Sequence, residues 1–397
     1  MKKLGVSALG VSGKTVLVRV DFNVPMAEGR VADDRRIRET TPTLRMILER
    51  GGRLVLASHL GRPKGKQDPR YSLAPCREPL AWMLGREVTM SPDCVGAETK
   101  RLAGQIAPGG VLLLENLRFH AEEEANDAGF AASLASLADL YVNDAFGSAH
   151  RAHASVEAVC RKFQTPAAGL LMEREIEYLS RLLEAPARPY VAVLGGAKVS
   201  DKIELLDSLL ARVDSILIGG AMAYTFLKAR GVETGSSLVE ADKLDLARAI
   251  EEQARSRSVR ILLPVDHVEA AGVNEAPGSL TPGEAITPGH AGFDIGPRTS
   301  TAFAGVLAGA RTILWNGPLG MFETRGFATG TRRVAQAIAA ATGNGALSVV
   351  GGGDSAAAVK AFHLESAMSH ISTGGGASLE FLSGRRLPGV VALADAR

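Results

Sequence analysis

No run of eighteen apolar residues occurs in the chain, so no membrane-spanning helix is expected. Cysteine is scarce. Cys76, Cys94 and Cys160 are odd in number and far apart, which excludes a disulfide framework, shows no zinc-ligand spacing and suits a reducing cytoplasm. A strong charge of one sign is also missing. The formal net charge is +2, so binding to nucleic acid through bulk charge is not indicated. The opening "MKK" is followed by "LGVSALGVSG", too weakly apolar for the core of a signal peptide. No Ser-His-Asp set, no carboxylate pair at a shared site and no G-x-G-x-x-G fingerprint is present. These absences leave a cytoplasmic globular protein with ordinary composition, 46% hydrophobic and 22% charged, long enough for two or three domains.

Residues 8–15, "ALGVSGKT", approach the phosphate-binding pattern G-x-x-x-x-G-K-[ST], with Ala8 in place of the first glycine. That motif requires a strand before it and a helix after it, because loop amides and the helix N-terminus hold the phosphates. Here a poor strand precedes, and the β-branched, alternating "TVLVRVDFNVP" follows. The stretch reads as a turn leading into the first strand.

Short apolar runs alternate with longer helical patterns. Strands are expected at 16–21, 54–58, 111–115, 140–144, 190–195, 214–219, 260–263, 312–316, 347–351 and 369–372. Helices are expected at 42–50, 127–138, 201–211, 243–256, 331–342 and 354–364. The alternation predicts an α/β fold with parallel sheets. Ten strands are many for one such sheet, so two doubly wound domains are expected. The proline-bracketed, helically spaced "PAAGLLMEREIEYLSRLLEAPARP" reads as the helix connecting them.

Most strands end in Gly, Asp, Asn, His or Arg, and in open α/β sheets ligands bind beyond the carboxyl ends of the strands. The first half places Asp21, Asn23, Arg36, His59, Arg62, Arg118 and Arg151 at such ends, which suits a small, multiply anionic ligand. Residues 1–168 carry 23 Lys/Arg against 19 Asp/Glu, and the remainder 22 against 24, which points the same way. His150 and His153 lack a third metal ligand, and His120, His267, His290, His363 and His370 have no legible spacing and read as structural or solvated. The second half is glycine-rich: "LGGAKVSDK", with Lys198 and Lys202 four apart, then "VVGGGDS" and "ISTGGGAS". Bare amides at helix starts hold phosphates, and a lone carboxylate such as Asp354 can hold Mg²⁺. An anion site on one domain and a phosphate-and-Mg²⁺ site on the other suit phosphoryl transfer.

"VRVDFNVP", "SHLGRPKG", "ENLRFHAEEEAND", "NDAFGSAHRAHAS", "LGGAKVSDKI", "ILWNGPLGMFE", "VGGGDS" and "STGGGASLEFLSG" closely resemble, in order and nearly end to end, the signatures of the phosphoglycerate kinase family. The resemblance implies a glycolytic enzyme moving the acyl phosphate of 1,3-bisphosphoglycerate to ADP, reversibly, by in-line transfer across a closing interdomain cleft. It implies two Rossmann-like domains: residues 1–168 with a returning tail of about 377–397 for 3-phosphoglycerate, and residues 169–376 for ATP or ADP. A cytoplasmic monomer is expected, with no membrane or nucleic-acid partner. The resemblance assigns Asp21, Phe22, Asn23, Arg36, His59, Leu60, Gly61, Arg62, Arg118 and Arg151 to the glycerate ligand. It assigns Lys202, Glu323, Gly352, Gly353, Asp354 and Ser355 to the nucleotide, with Glu323 on the ribose and Gly292 at the adenosine. Asp354 is implied as the Mg²⁺ ligand, and Arg36, Lys198 and Lys202 as the catalytic cations. Two departures are Ala221, where many relatives have a third glycine, and Ser236, where many have lysine; both concern nucleotide affinity. A P-loop ATPase using Lys14, or a scaffold that kept only the fold, are the alternatives, and a scaffold would be expected to have lost Arg36, Lys202 or Asp354.

Overall fold

Thr15–Arg19 and Tyr190–Leu194 are buried at every position, the pattern of strands covered on both faces. In the computed structural model, which describes residues 2–396, each is central to a six-stranded, all-parallel sheet. The first sheet runs, in spatial order, Val88–Met90, Val111–Leu113, Arg53–Ala57, Thr15–Arg19, Leu140–Asn143 and Ala167–Ala168. The second runs Arg260–Leu262, Ser215–Ile218, Tyr190–Leu194, Thr312–Asn316, Leu347–Gly351 and His370–Ile371. All ten expected strands lie in these two sheets. The two additions, Val88–Met90 and Ala167–Ala168, are edge strands of three and two residues, too short to show a period. A separate three-stranded antiparallel sheet of His267–Ala270, Ser279–Leu280 and Ala291–Ile295 was also not expected.

The chain divides into two compact units, Met1–Glu177 with Arg386–Arg397, and Tyr178–Arg385. The division falls inside the connecting helix Leu170–Glu184 rather than ahead of it. The helix starts on the first unit, where Leu170 N donates to Thr43 Oγ1 at 2.9 Å and Leu171 N to Asp144 Oδ1 at 2.9 Å. Gly376–Leu382 stays with the second unit, where Leu382 O accepts from Ser208 Oγ at 2.7 Å, so the returning tail begins at Arg386 rather than near 377. On the first unit the tail is held by Leu4 N to Ala394 O at 2.8 Å, Gly389 N to Ala149 O at 2.8 Å and a Lys3–Asp395 ion pair at 2.7 Å.

The helix expected at 42–50 begins earlier, at Arg35, and carries Pro42 inside it. Proline removes one helical donor and crowds the preceding turn. Burial of Ile37, Thr40, Thr41, Leu44, Ile47 and Leu48, one face at i, i+3, i+4 spacing, stabilises the helix across it. Asp33 Oδ1 accepts from Arg35 N at 2.9 Å at the start. This matters for function, because the extra turn carries Arg36.

Lys14 is exposed beside the Ser12–Gly13 turn, where Gly13 has φ +69° and Lys14 N donates to Val11 O at 3.0 Å. A strand follows, not a helix. Lys14→Ala is therefore expected to leave turnover within twofold and stability within about 0.5 kcal/mol, as for an exposed side chain away from special contacts. Loss of turnover in a folded variant would restore the P-loop reading.

Candidate active site

In both sheets the chain first builds strands to one side, then crosses to the other. In the first sheet the reversal lies between Thr15–Arg19 and Leu140–Asn143, and in the second between Tyr190–Leu194 and Thr312–Asn316. Ligands of open α/β sheets bind outside the carboxyl ends at this point. Each unit carries polar side chains there.

On the first unit, Asp21 follows the strand end. Its carboxylate pairs with Arg36 Nη1 at 2.5 Å and accepts from Asn23 N at 3.1 Å. Burial raises its pKa, but the Arg36 and Arg19 guanidiniums outweigh that and bring it down to about 2. Phe22 N donates to Ser58 Oγ at 2.8 Å, and Gly61 N to Asn23 Oδ1 at 2.9 Å, which joins the loop after Thr15–Arg19 to the loop after Arg53–Ala57. Leu60 is buried in that second loop. Arg118 Nη1 donates to Gly61 O at 2.8 Å, and its Nε lies 3.4 Å from Glu124 Oε1. The structure thus brings together Asp21, Asn23, Arg36, His59, Gly61 and Arg118. Arg62 and Arg151 are exposed at the ends of their loops.

Three residues not expected from sequence support this group. Arg19 is fully buried. Its Nη1 donates to Val20 O, its Nε to Ser155 Oγ at 2.8 Å, and its Nη2 lies 3.1 Å from His59 Nδ1. Ser155 Oγ passes a hydrogen bond on to Glu123 Oε1 at 2.6 Å, and Ser155 N donates to Glu123 Oε2 at 2.9 Å. Glu123 is also fully buried; burial raises its pKa and Arg19 is the largest opposing influence. A guanidinium has no acceptor, so His59 Nδ1 must carry a lone pair toward Arg19 and the ring proton must sit on Nε2. Burial, Arg19, Arg118 and Arg36 all hold the His59 pKa below its usual value, against Asp21 alone. His59 is a neutral hydrogen-bond donor through Nε2.

On the second unit the expected glycines divide into two kinds. An added Cβ at Gly195 would stand 2.0 Å from Pro318 O, at Gly220 2.7 Å from Gly196 N, and at Gly317 2.2 Å from Gly195 O. Those glycines let strand ends pass each other. At Gly353, Gly375 and Gly376 an added Cβ meets nothing within 4 Å, so their backbone faces open space at the starts of Gly353–Ala361 and Gly376–Leu382. Gly352 has φ +91° and turns the chain into the first of these helices.

Lys198 and Lys202 do not share a helix face. Lys198 is exposed in the loop, and Lys202 ends the 3₁₀ turn Ser200–Lys202, half-buried, with its Nζ donating to Asn316 Oδ1. Burial lowers the Lys202 pKa, opposed by Asp201 and Asp354. Asn316 Nδ2 in turn donates to Gly351 O at 2.8 Å. Ser355 is fully buried and its Oγ accepts from Gly317 N at 2.6 Å, which fixes the helix start on the neighbouring strand end. Asp354, one residue earlier, is exposed, as is Glu323. Gly292 N donates to Ser237 Oγ at 3.0 Å, and a Cβ there would strike Tyr224 Oη at 1.8 Å. Ala221 precedes the helix Met222–Ala229, and Ser236 N donates to His290 O at 2.7 Å.

Among the described residues no helix is long and apolar enough to cross a membrane. The family description "Phosphoglycerate kinase" matches residues 6–385. A phosphoglycerate kinase of Koribacter versatilis is 54% identical over all of both chains, and one of Chlorobium chlorochromatii is 54% identical over 99% of this chain and all of its own. The solved phosphoglycerate kinase of Coxiella burnetii is 42% identical, covers 98% of each chain and superimposes with a TM-score of 0.88. With a parallel sheet, a switch point and a charged or glycine-rich strand end in each unit, and matches that span almost every residue, the chain belongs to the phosphoglycerate kinase family.

Proposed function

We propose that the first unit binds 3-phosphoglycerate or 1,3-bisphosphoglycerate and the second binds Mg-ADP or Mg-ATP, and that the acyl phosphate passes in line between them. The observation that carries this reading is the cluster of Arg36, Arg118 and neutral His59 around Asp21 at the switch point of the first sheet. Guanidiniums take carboxylate and phosphate bidentately, and His59 Nε2–H adds a donor without a titrating charge. Asn23 and the Gly61 loop fix the spacing, and Arg62 and Arg151 supply further cations from the rim.

On the second unit the open glycine amides at Gly353 and Gly376 and the Lys202 ammonium would take nucleotide phosphates. Glu323 would accept from the ribose, and Gly292 would leave room for the adenosine. Asp354 is a single exposed carboxylate at the start of a helix, a donor set that fits Mg²⁺ bound mainly by phosphates and water. When bound, the cation would neutralise phosphate charge.

A phosphate oxygen of ADP attacks phosphorus, and the bond to the acyl oxygen breaks to leave a carboxylate. Neither group has a proton to lose, so no general base is needed, and catalysis consists of alignment and charge neutralisation. Arg36, Lys198 and Lys202 would stabilise charge on the phosphoryl oxygens. Closure of the two units on their ligands would exclude water that could intercept the phosphoryl group. The direct test is ATP-dependent phosphorylation of 3-phosphoglycerate in a coupled assay; its absence in folded protein refutes the reading.

Lys202→Ala is expected to lower kcat by roughly 10²–10³-fold, the scale for a preorganised charge-stabilising group. Asp354→Asn is expected to raise the Mg²⁺ concentration needed for half-maximal rate while leaving 3-phosphoglycerate affinity unchanged. An unaltered Mg²⁺ dependence removes Asp354 from that role. For His59, long-range proton–nitrogen NMR should show one neutral tautomer, protonated at Nε2, from pH 8 to below pH 6. Because burial and the Arg19, Arg118 and Arg36 guanidiniums hold the folded pKa well below that of a free imidazole, the unfolded chain binds this proton first, so His59 lowers stability as pH falls through the free-imidazole range. An imidazolium signal for His59 at pH 6 contradicts the assignment.

A further inference from the structure

Asp93, Cys94 and His120 form a cluster that the phosphoryl-transfer reading does not use. They come from two connections, the "SPDCVG" turn after the edge strand Val88–Met90 and the residue after the 3₁₀ turn Leu117–Phe119. His120 Nε2 lies 2.7 Å from Asp93 Oδ1, although the two are 27 positions apart in sequence. One ligand atom from each of the three residues lies within 4.8 Å of the others, the one such grouping among the described residues. Cys94 is fully buried, while the side chains of His120 and Asp93 are 26% and 35% exposed. A soft sulfur thus sits beneath two ligands that solvent can reach.

We propose that Asp93, Cys94 and His120 bind a borderline divalent transition ion such as Zn²⁺ or Co²⁺, with water in a fourth position. Thiolate, imidazole and carboxylate are the ligand set of such ions and disfavour Mg²⁺, so this cation is separate from the nucleotide's. Bonds of about 2.0–2.3 Å in a tetrahedron put ligand atoms roughly 3.3–3.8 Å apart, so closure from 4.8 Å takes about an ångström of side-chain movement. On binding, the Cys94 thiol gives its proton to solvent. His120 keeps one proton, on Nδ1, and Nε2 turns its lone pair to the metal in place of its contact with Asp93. One thiolate and one carboxylate then balance the dication, so the filled site carries no net charge into the interior. Asp93 is already tied in place, since its Oδ1 accepts from Cys94 N at 2.6 Å and its carbonyl from Thr99 Oγ1 at 3.1 Å. The ion would staple the turn before Ala97–Gly104 to the segment that carries Arg118 and Glu123.

The reduced, metal-free full chain titrated with Co²⁺ should develop a thiolate-to-cobalt charge-transfer band saturating at one equivalent. The thermal midpoint should rise with Co²⁺ concentration, because the ion binds only the folded form. Zn²⁺ should bleach the band by displacement. Cys94→Ser should abolish the band, and Cys76→Ser should keep it. His120→Ala alters a half-exposed side chain and should weaken Co²⁺ binding by more than roughly 100-fold, beyond the loss expected from a supporting group. A wild-type chain with no band, or a band that survives Cys94→Ser, overturns the proposal. If Cys94→Ser does not fold, undiminished affinity in His120→Ala overturns it equally.

Discussion

Arg19 places a guanidinium inside an otherwise apolar strand, fully buried, at the point where the first sheet changes direction. An isolated charge there would cost several kcal/mol even after relaxation, so the surrounding chain has to answer it. Ser155 does so by accepting from Arg19 and donating to Glu123, which makes a buried ion pair relayed through a hydroxyl. His59 does so by presenting a lone pair. Tyr141 Oη donates to Ser155 O at 2.7 Å and steadies the relay from the next strand. Much of the anion site follows from satisfying one buried cation: the tautomer of His59, the burial of Glu123 and the course of the loop through Ser155.

The second unit solves a different problem with a different device. Its strand ends approach so closely that Gly195, Gly220 and Gly317 leave no room for a Cβ. That approach lets one polar chain run across three strand ends: Lys202 to Asn316, Asn316 to Gly351, and Gly317 to Ser355. The ammonium of Lys202 is thereby aimed by an amide rather than by a carboxylate.

The sheets, the two units and the residues at strand ends were legible because each leaves a local mark: a buried apolar run, a change of period, a glycine or arginine after a strand. The supports were not. Arg19 in "VLVRVD" reads as the polar half of an alternating strand, and only burial on both faces shows that it needs buried partners. Glu123 stands in "HAEEEAND", which reads as a solvated acidic helix, yet it is the fully buried member of the three glutamates. Lys198 and Lys202 stand four apart in sequence, but the loop and 3₁₀ turn between them leave one exposed and the other half-buried, which spacing alone does not show. Pro42 misplaced the start of its helix because the tertiary burial that overrides a proline has no local signature. His120 carried no pattern for the same reason: its neighbours Asp93 and Cys94 arrive from another connection.

The balance of charge in the first unit shows why these supports belong to the function. Glu123 answers Arg19 through Ser155, Asp21 answers Arg36, and Glu124 lies beside Arg118. Each of these three guanidiniums therefore has a carboxylate that helps keep it in place before a ligand arrives. Arg62 and Arg151, on the rim, are the exposed ones. Since His59 is held neutral, it adds a donor but no charge to the field of Arg36 and Arg118. A ligand with several negative charges then meets guanidiniums whose geometry has already been organised. That is the condition under which charge neutralisation favours the transition state without the groups having to reorganise during transfer.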